Sequence, residues 1–236
     1  MSPALVISRR EIRTYFNSPV AFIVVPVFVM VTGYLFFTQL FLERQADLRG
    51  FFNIMPLLFM FIIPAITMRL LADEKQLGTL ELLITMPVRD WEVVVGKFLA
   101  AMALLCTAIG LTLVFAITVK LLGPLDRGPA IGGYLGLVLM GGAYVAIGVM
   151  ASSLTRNSIV SFIIAFAICF SLYLLGKLTQ FLPSSLQGLV SYLSIDAHFE
   201  NIGRGVVDSR DVIYYLSVVT VSLLVATLSL ESRRWK

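Results

Sequence analysis

The sequence predicts an all-α polytopic membrane protein with six transmembrane helices, an N-terminal interfacial helix, a cytoplasmic amphipathic helix between the second and third spans, and an outside helical hairpin before the last span. Three observations carry the membrane class. Hydrophobic residues make up 58% of the 236 and charged residues only 14%, where soluble domains carry about 25% charged residues. Mean hydropathy is +0.93. Six apolar stretches, about 20–41, 51–71, 98–122, 131–153, 158–178 and 212–230, each reach the roughly 20 residues that cross a hydrocarbon core of about 30 Å.

The first element is MSPALVISRREIRTYFNSP. As a helix it sets Leu5, Ile12 and Phe16 near one side and Arg9, Arg10 and Arg13 largely on the other, which suits a segment lying in the interface; a disordered basic tail is the alternative. Its arginines follow the apolar run instead of preceding it, so it does not read as a cleavable signal peptide and is expected to be retained. In the second span Pro56 and Pro64 free backbone groups and permit kinks, which either bundle shape or gating explains. Cys106 and Cys169 fall inside the third and fifth spans and read as small packing residues, with neither a disulfide framework nor a metal site.

GPLDRGPA (123–130) and LTRN (154–157) are turns. Between them the fourth span carries small residues one turn apart, Gly132 and Gly136, Gly142 and Ala146, Gly148 and Ser152, a spacing that lets helix backbones approach within a bundle. The long connection at 179–211 has Leu186, Leu189, Val190 and Leu193 at helical spacing and then SIDAHFENIGRGVVDSRD. It predicts a helix at the outer interface, a turn at Gly203 and Gly205, and a last span starting near Asp208 or Ser209, serving as a lid or as an exit feature. His198 is the single histidine and is assigned a surface or interfacial role.

Positive charge sets orientation. With the N-terminus inside, eleven of the 18 basic residues are cytoplasmic, namely Arg9, Arg10, Arg13, Arg69, Lys75, Arg89, Lys97, Arg156, Arg233, Arg234 and Lys236, while acidic residues divide equally. Both termini are therefore expected in the cytoplasm of a bacterial inner membrane. The pI of 9.2 is a topology signal, and no basic aromatic module argues for nucleic acid.

No Asp, Glu, Lys, Arg or His lies near the middle of a span, and Arg69, Lys97, Lys120 and Lys177 sit at span ends, where they are expected to snorkel. A charge at the bilayer centre costs about 3 kcal/mol or more and persists where ions or protons move, so its absence argues against a proton-coupled carrier or a channel. There is no GxxxxGK[ST] phosphate loop, no Ser-His-acid set and no HExxH. The chain is read as no enzyme, with its energy coming from a partner.

The remaining long connection, at about 72–97, is patterned. Asp73 and Glu74 stand at the start of a helix, where acids complement the macrodipole; Leu77, Leu80, Leu83 or Ile84 follow at three- to four-residue spacing, and Pro87 ends it. A second short helix, RDWEVVVGK, leads back into the membrane. Such an elbow can seat its apolar face in a groove on a cytoplasmic partner.

ADEKQLGTLELLITMPVRDWEVVVGKFLA resembles the cytoplasmic coupling segment of the permease subunits of type-2 ABC transporters. The pattern is an acidic pair (Asp73, Glu74), a core (Gly78, Thr79, Leu80, Glu81, Leu82, Leu83), a proline (Pro87) and a Gly-Lys opening the third span (Gly96, Lys97). The resemblance implies one type-2 transmembrane domain over residues 1–236, with Asp73, Glu74, Gly78, Thr79, Leu80, Glu81, Leu83, Pro87, Arg89 and Lys97 in ATPase coupling. Glu81 would orient the elbow, Gly78 would allow close approach to the ATPase, and Arg89 or Lys97 would pair with elbow acids; a solvated face is the alternative for each charge. It implies no cofactor in this chain, ATP and Mg being bound by the ATPase. The partners implied are two cytoplasmic ABC ATPase subunits, a second permease copy or a homologous permease, and a membrane protein with a periplasmic domain.

YLSIDAHFENIGRGVVDSRDVIYYLS is similar to the gliding-motility permease group (GldF-like), although Ile195 and Asp196 stand where a proline is expected. The function implied is coupling of ATP hydrolysis in a separate subunit to export or to force transmission across the inner membrane. The alternative is a non-transporting scaffold that relays ATPase motion to a periplasmic partner.

Overall fold

The structure is a computed structural model and describes residues 3–43, 47–79, 88–181 and 183–232. Among these residues there are helices and no strand. In order they are α1 (Pro3–Asn17), α2 (Pro19–Glu43), α3 (Arg49–Thr67), α4 (Ala72–Gln76), α5 (Asp90–Leu111), α6 (Leu113–Leu122), α7 (Arg127–Leu154), α8 (Ser158–Leu178), α9 (Ser184–Leu193), α10 (Ile195–Gly203) and α11 (Ser209–Glu231). Among the described residues six segments are long and apolar enough to cross a membrane: Ala21–Leu42, Arg49–Leu77, Asp90–Leu122, Arg127–Leu154, Ser158–Leu178 and Ser209–Glu231.

The third of these departs from expectation at both ends of its path. It begins at Asp90, so RDWEVVVGK is no separate helix but the first turns of α5. Glu92 reaches back to accept the Arg89 N–H at 2.9 Å, which starts the helix there, and Val93 and Val94 bury behind it. The span then breaks between α5 and α6 at Thr112. The Thr112 hydroxyl donates to the Ile109 carbonyl at 2.6 Å, and its own carbonyl accepts from the Tyr134 hydroxyl on α7 at 2.9 Å. A side chain that competes for the helix's own acceptors is a recognised cause of a break.

Other boundaries have equally local causes. Asn157 caps α8 by accepting from the N–H groups of Ile159 and Val160, Asp208 caps α11 through Arg210 N–H at 3.0 Å, and Ser194 caps α10 through Ala197 N–H at 3.2 Å. A side-chain oxygen at that position supplies one of the orphan donors of a helix start.

α7 is the hub. Of its most apolar window 78% is buried, against 17% for α8, and its small residues are contact positions. A Cβ at Gly133 would collide with the Phe52 ring of α3, one at Gly132 with the Ile202 carbonyl of α10, and one at Gly148 with Thr67 of α3. Around its first half gathers an aromatic core, with Phe36 stacked on Phe115 at 5.5 Å and Tyr134 edge-on to Phe52 at 5.6 Å.

α1 packs along the start of α5 with its small face, burying Ala4 and Ser8; an added Cβ at Gly96 would meet the Ala4 carbonyl at 2.9 Å. Leu5 and Phe16 point outward and are exposed, as are Arg9, Arg10 and Arg13. The helix is thus anchored to the bundle along the face that holds Ala4, Ile7 and Ser8, while Leu5, Phe16 and the arginines are left to the surroundings.

Candidate functional site at the elbow

The turn after α3 is built on one hydroxyl. Ser152 Oγ of α7 donates to the Met68 carbonyl at 3.0 Å and accepts from the N–H groups of Leu71 and Ala72 at 2.9 and 3.0 Å. Two orphan donors at the start of α4 are satisfied by a neighbouring helix. Lys75 then donates to the Ser153 carbonyl, and Asp73 accepts from the Ser158 hydroxyl while facing Arg69 at 4.0 Å. The elbow is tied to the α7–α8 turn by both faces of α4.

Its third attachment is ionic. Lys97 Nζ lies 2.7 Å from Glu74 Oε1 and 3.4 Å from Glu11 Oε1, with only 2% of the lysine side chain exposed. One ammonium therefore joins α1, α4 and α5. Next to it the Tyr15 hydroxyl donates to the Ile66 carbonyl at 3.4 Å; burial pushes that phenol well above its ordinary value, and the Glu11 carboxylate adds to the rise.

Of the residues assigned to coupling, the structure brings together Glu74 and Lys97, while Asp73 turns to Arg69 and Ser158. Lys97 does not snorkel: the Glu11 and Glu74 carboxylates hold it inside, where a lone lysine would be costly. Arg89 is exposed at the start of α5, and among the described residues its guanidinium makes no ion pair. Thr79 Oγ1 donates to the Glu74 carbonyl at 3.4 Å. Leu80, Glu81, Leu83 and Pro87 lie outside the described residues.

The helix expected to run on from Asp73 is interrupted within the described residues, and its course from Leu80 to Pro87 lies outside them. α4 ends at Gln76, Leu77 N–H donates to the Asp73 carbonyl at 2.9 Å, and Gly78 follows at φ +72°. That left-handed conformation closes a helix and is cheap only for glycine. Among the described residues no atom lies within 4 Å of where a Gly78 Cβ would be, and Leu77 is 76% exposed.

Sequence reasoning missed Glu11, Lys75, Ser152, Ser153 and Ser158. Glu11 and Lys75 carried a signal, since unpaired charge beside a span is expensive; the serines carried none, being ordinary in apolar helices.

It also misplaced His198, which is buried at the opposite end of the bundle. Its Nδ1 lies 2.6 Å from Asp211 Oδ1 and its Nε2 3.0 Å from the Tyr192 carbonyl, and its ring stacks on Tyr214 at 4.1 Å. Ile195, Phe199 and Ile202 of α10 bury towards α7 and turn the histidine inward with them. Lys177 closes the same hairpin on Asp196 at 2.5 Å, with Glu200 at 3.7 Å. Where a proline was expected, Ser194 makes the turn as the cap of α10, with Tyr215 donating to the Ile195 carbonyl at 2.8 Å.

A family model described as ABC-2 family transporter protein matches residues 5–230. No curated protein matches the chain.

Proposed function

The chain belongs to the ABC-2 family of transporter proteins, and from that premise we propose that its elbow receives the motion of a separate cytoplasmic ATPase subunit and passes it to the membrane helices. The chain is the membrane-spanning, permease-type subunit. ATP and Mg are bound by the ATPase, present in two copies beneath two permeases. Both termini and the elbow face the cytoplasm of a bacterial inner membrane, the GldF-like group is the subgroup, and a membrane protein with a periplasmic domain is a further partner.

The observation that supports this reading best is the attachment of α4. Glu74 grips α5 and α1 through Lys97, and Lys75, Asp73 and the α4 start grip α7 and α8. A load applied beyond Gly78 therefore reaches four helices at once. Glu81 sets the register in the ATPase groove and Gly78 lets the chain turn towards it.

The test is affinity purification in mild detergent, with identification and quantitation of the co-purifying ATPase. An exposed pair contributes about 0.2–1 kcal/mol, whereas reversing a desolvated charge costs about 2–5 kcal/mol. Glu81→Lys and Gly78→Leu should each strip most of the ATPase while the permease stays in the membrane. Recovery of both variants with ATPase at the unmutated yield would refute the elbow as the coupling site. Transport of a solute by the reconstituted complex selects export over the non-transporting scaffold.

A further inference from the structure

A cavity of about 490 Å³ opens beside the elbow, between α1, α2 and the end of α3. That is the size of an organic ligand site, which runs to about 300–1,000 Å³. Ile23, Val24 and Ile66 give it apolar walls, and Glu11, Arg69, Glu74 and Lys97 line its polar side. Such a division matches an amphipathic molecule at the boundary of a membrane.

The polar side has a charge left over. Two carboxylates share the single ammonium of Lys97, so one negative charge is uncompensated, and Glu74 Oε2 is buried with no hydrogen-bond partner among the described residues. Buried polar atoms of this kind ordinarily have a donor. Across from them Arg69 is exposed and meets its nearest carboxylate, Asp73, only at 4.0 Å. Its planar fork is suited to a phosphate. A cation is wanted at one edge and an anion at the other.

We propose that this cavity binds a phospholipid whose headgroup carries both a primary ammonium and a phosphate, a phosphatidylethanolamine. The ammonium donates to Glu11 and Glu74, the phosphate rests on Arg69, and the start of an acyl chain lies along Ile23, Val24 and Ile66. A choline headgroup has no N–H to give, and a glycerol headgroup brings no positive charge. A free phosphoethanolamine would leave the apolar walls unused.

Native mass spectrometry of the full chain, delipidated and titrated with dioleoyl phosphatidylethanolamine, phosphatidylcholine or phosphatidylglycerol, tests this. The ethanolamine lipid should be retained over the other two, and E11Q/E74Q should erase that preference, because losing a charge-assisted hydrogen bond weakens affinity about tenfold or more. R69Q should weaken all three lipids together, since each carries the phosphate. I23W, which fills the cavity and leaves the charges in place, should remove the preference even if E11Q/E74Q fails to fold. Glycerophosphoethanolamine should not displace the lipid. Equal retention of all three lipids, a preference that survives I23W, or displacement by the soluble headgroup would overturn the assignment. None of these readouts involves the ATPase or Glu81, so they stand or fall apart from the elbow's role.

Discussion

Lys97→Met isolates the ionic joint of the elbow. Methionine keeps the length of the stem and removes the ammonium, so the loss is of charge and not of volume. What remains is Glu11 and Glu74, 17% and 22% exposed, facing a vacated site that lay 3.4 and 2.7 Å from them. Removing one member of a buried ion pair costs about 3–5 kcal/mol, because the partner is left charged and uncompensated. Here two carboxylates are stranded, but both retain some contact with solvent and can partly rehydrate, which places the expectation at the lower end, about 3 kcal/mol. Unfolding of the purified protein by SDS titration in mixed micelles measures it. The triple variant K97M/E11Q/E74Q removes every charge and should recover most of the loss, since a whole buried network is often replaceable by neutral groups at little net cost. A loss below about 1 kcal/mol for K97M, the range of exposed pairs, or a triple variant no more stable than K97M, would refute the claim that this lysine is a buried joint.

Three further outcomes are expected. Gly133→Ala should destabilise the same unfolding transition by about 1–3 kcal/mol through the clash of its Cβ with Phe52, whereas Gly110→Ala, with open space around it, should be neutral or slightly stabilising. His198→Ala strands the buried Asp211, whose Oδ2 already has no partner among the described residues; hydrogen exchange should show α9 and α10 opening more readily, by about 2–4 kcal/mol for a lost buried charged contact, with α4 unaffected. A cysteine placed at Gln187 should label from outside intact cells and one at Arg156 only after permeabilisation; the reverse pattern would overturn the orientation.

Length and composition made the spans legible, because crossing a bilayer demands some twenty apolar residues whatever the tertiary packing. They could not reveal the break at Thr112, which depends on the Tyr134 hydroxyl arriving from another helix. Distance from a span end suggested that Lys97 reaches for water, while the family resemblance offered the elbow acids as its partners; Glu74 takes that place at 2.7 Å, and the second carboxylate, Glu11, comes from 86 positions away in sequence, a partner no periodicity records. The leucine spacing after Asp73 argued for one helix, and a single glycine at φ +72° outweighed it, since the backbone must have a residue that tolerates the turn. His198 looked solitary because its partner, Asp211, comes from the following helix.

The break at Thr112 divides the third span into two rods answerable to different neighbours. The lower rod, α5, carries Lys97 and is tied to the elbow and to α1; the upper rod, α6, carries Phe115, wedged among Phe36, Phe37 and Phe51. A continuous helix would act as a stiff lever and tilt end to end. With the ladder interrupted at Thr112, the two pieces keep separate company: α5 lies directly on α7, Leu105 filling the space a Gly141 Cβ would need, and the Tyr134 hydroxyl occupies the carbonyl at the joint itself.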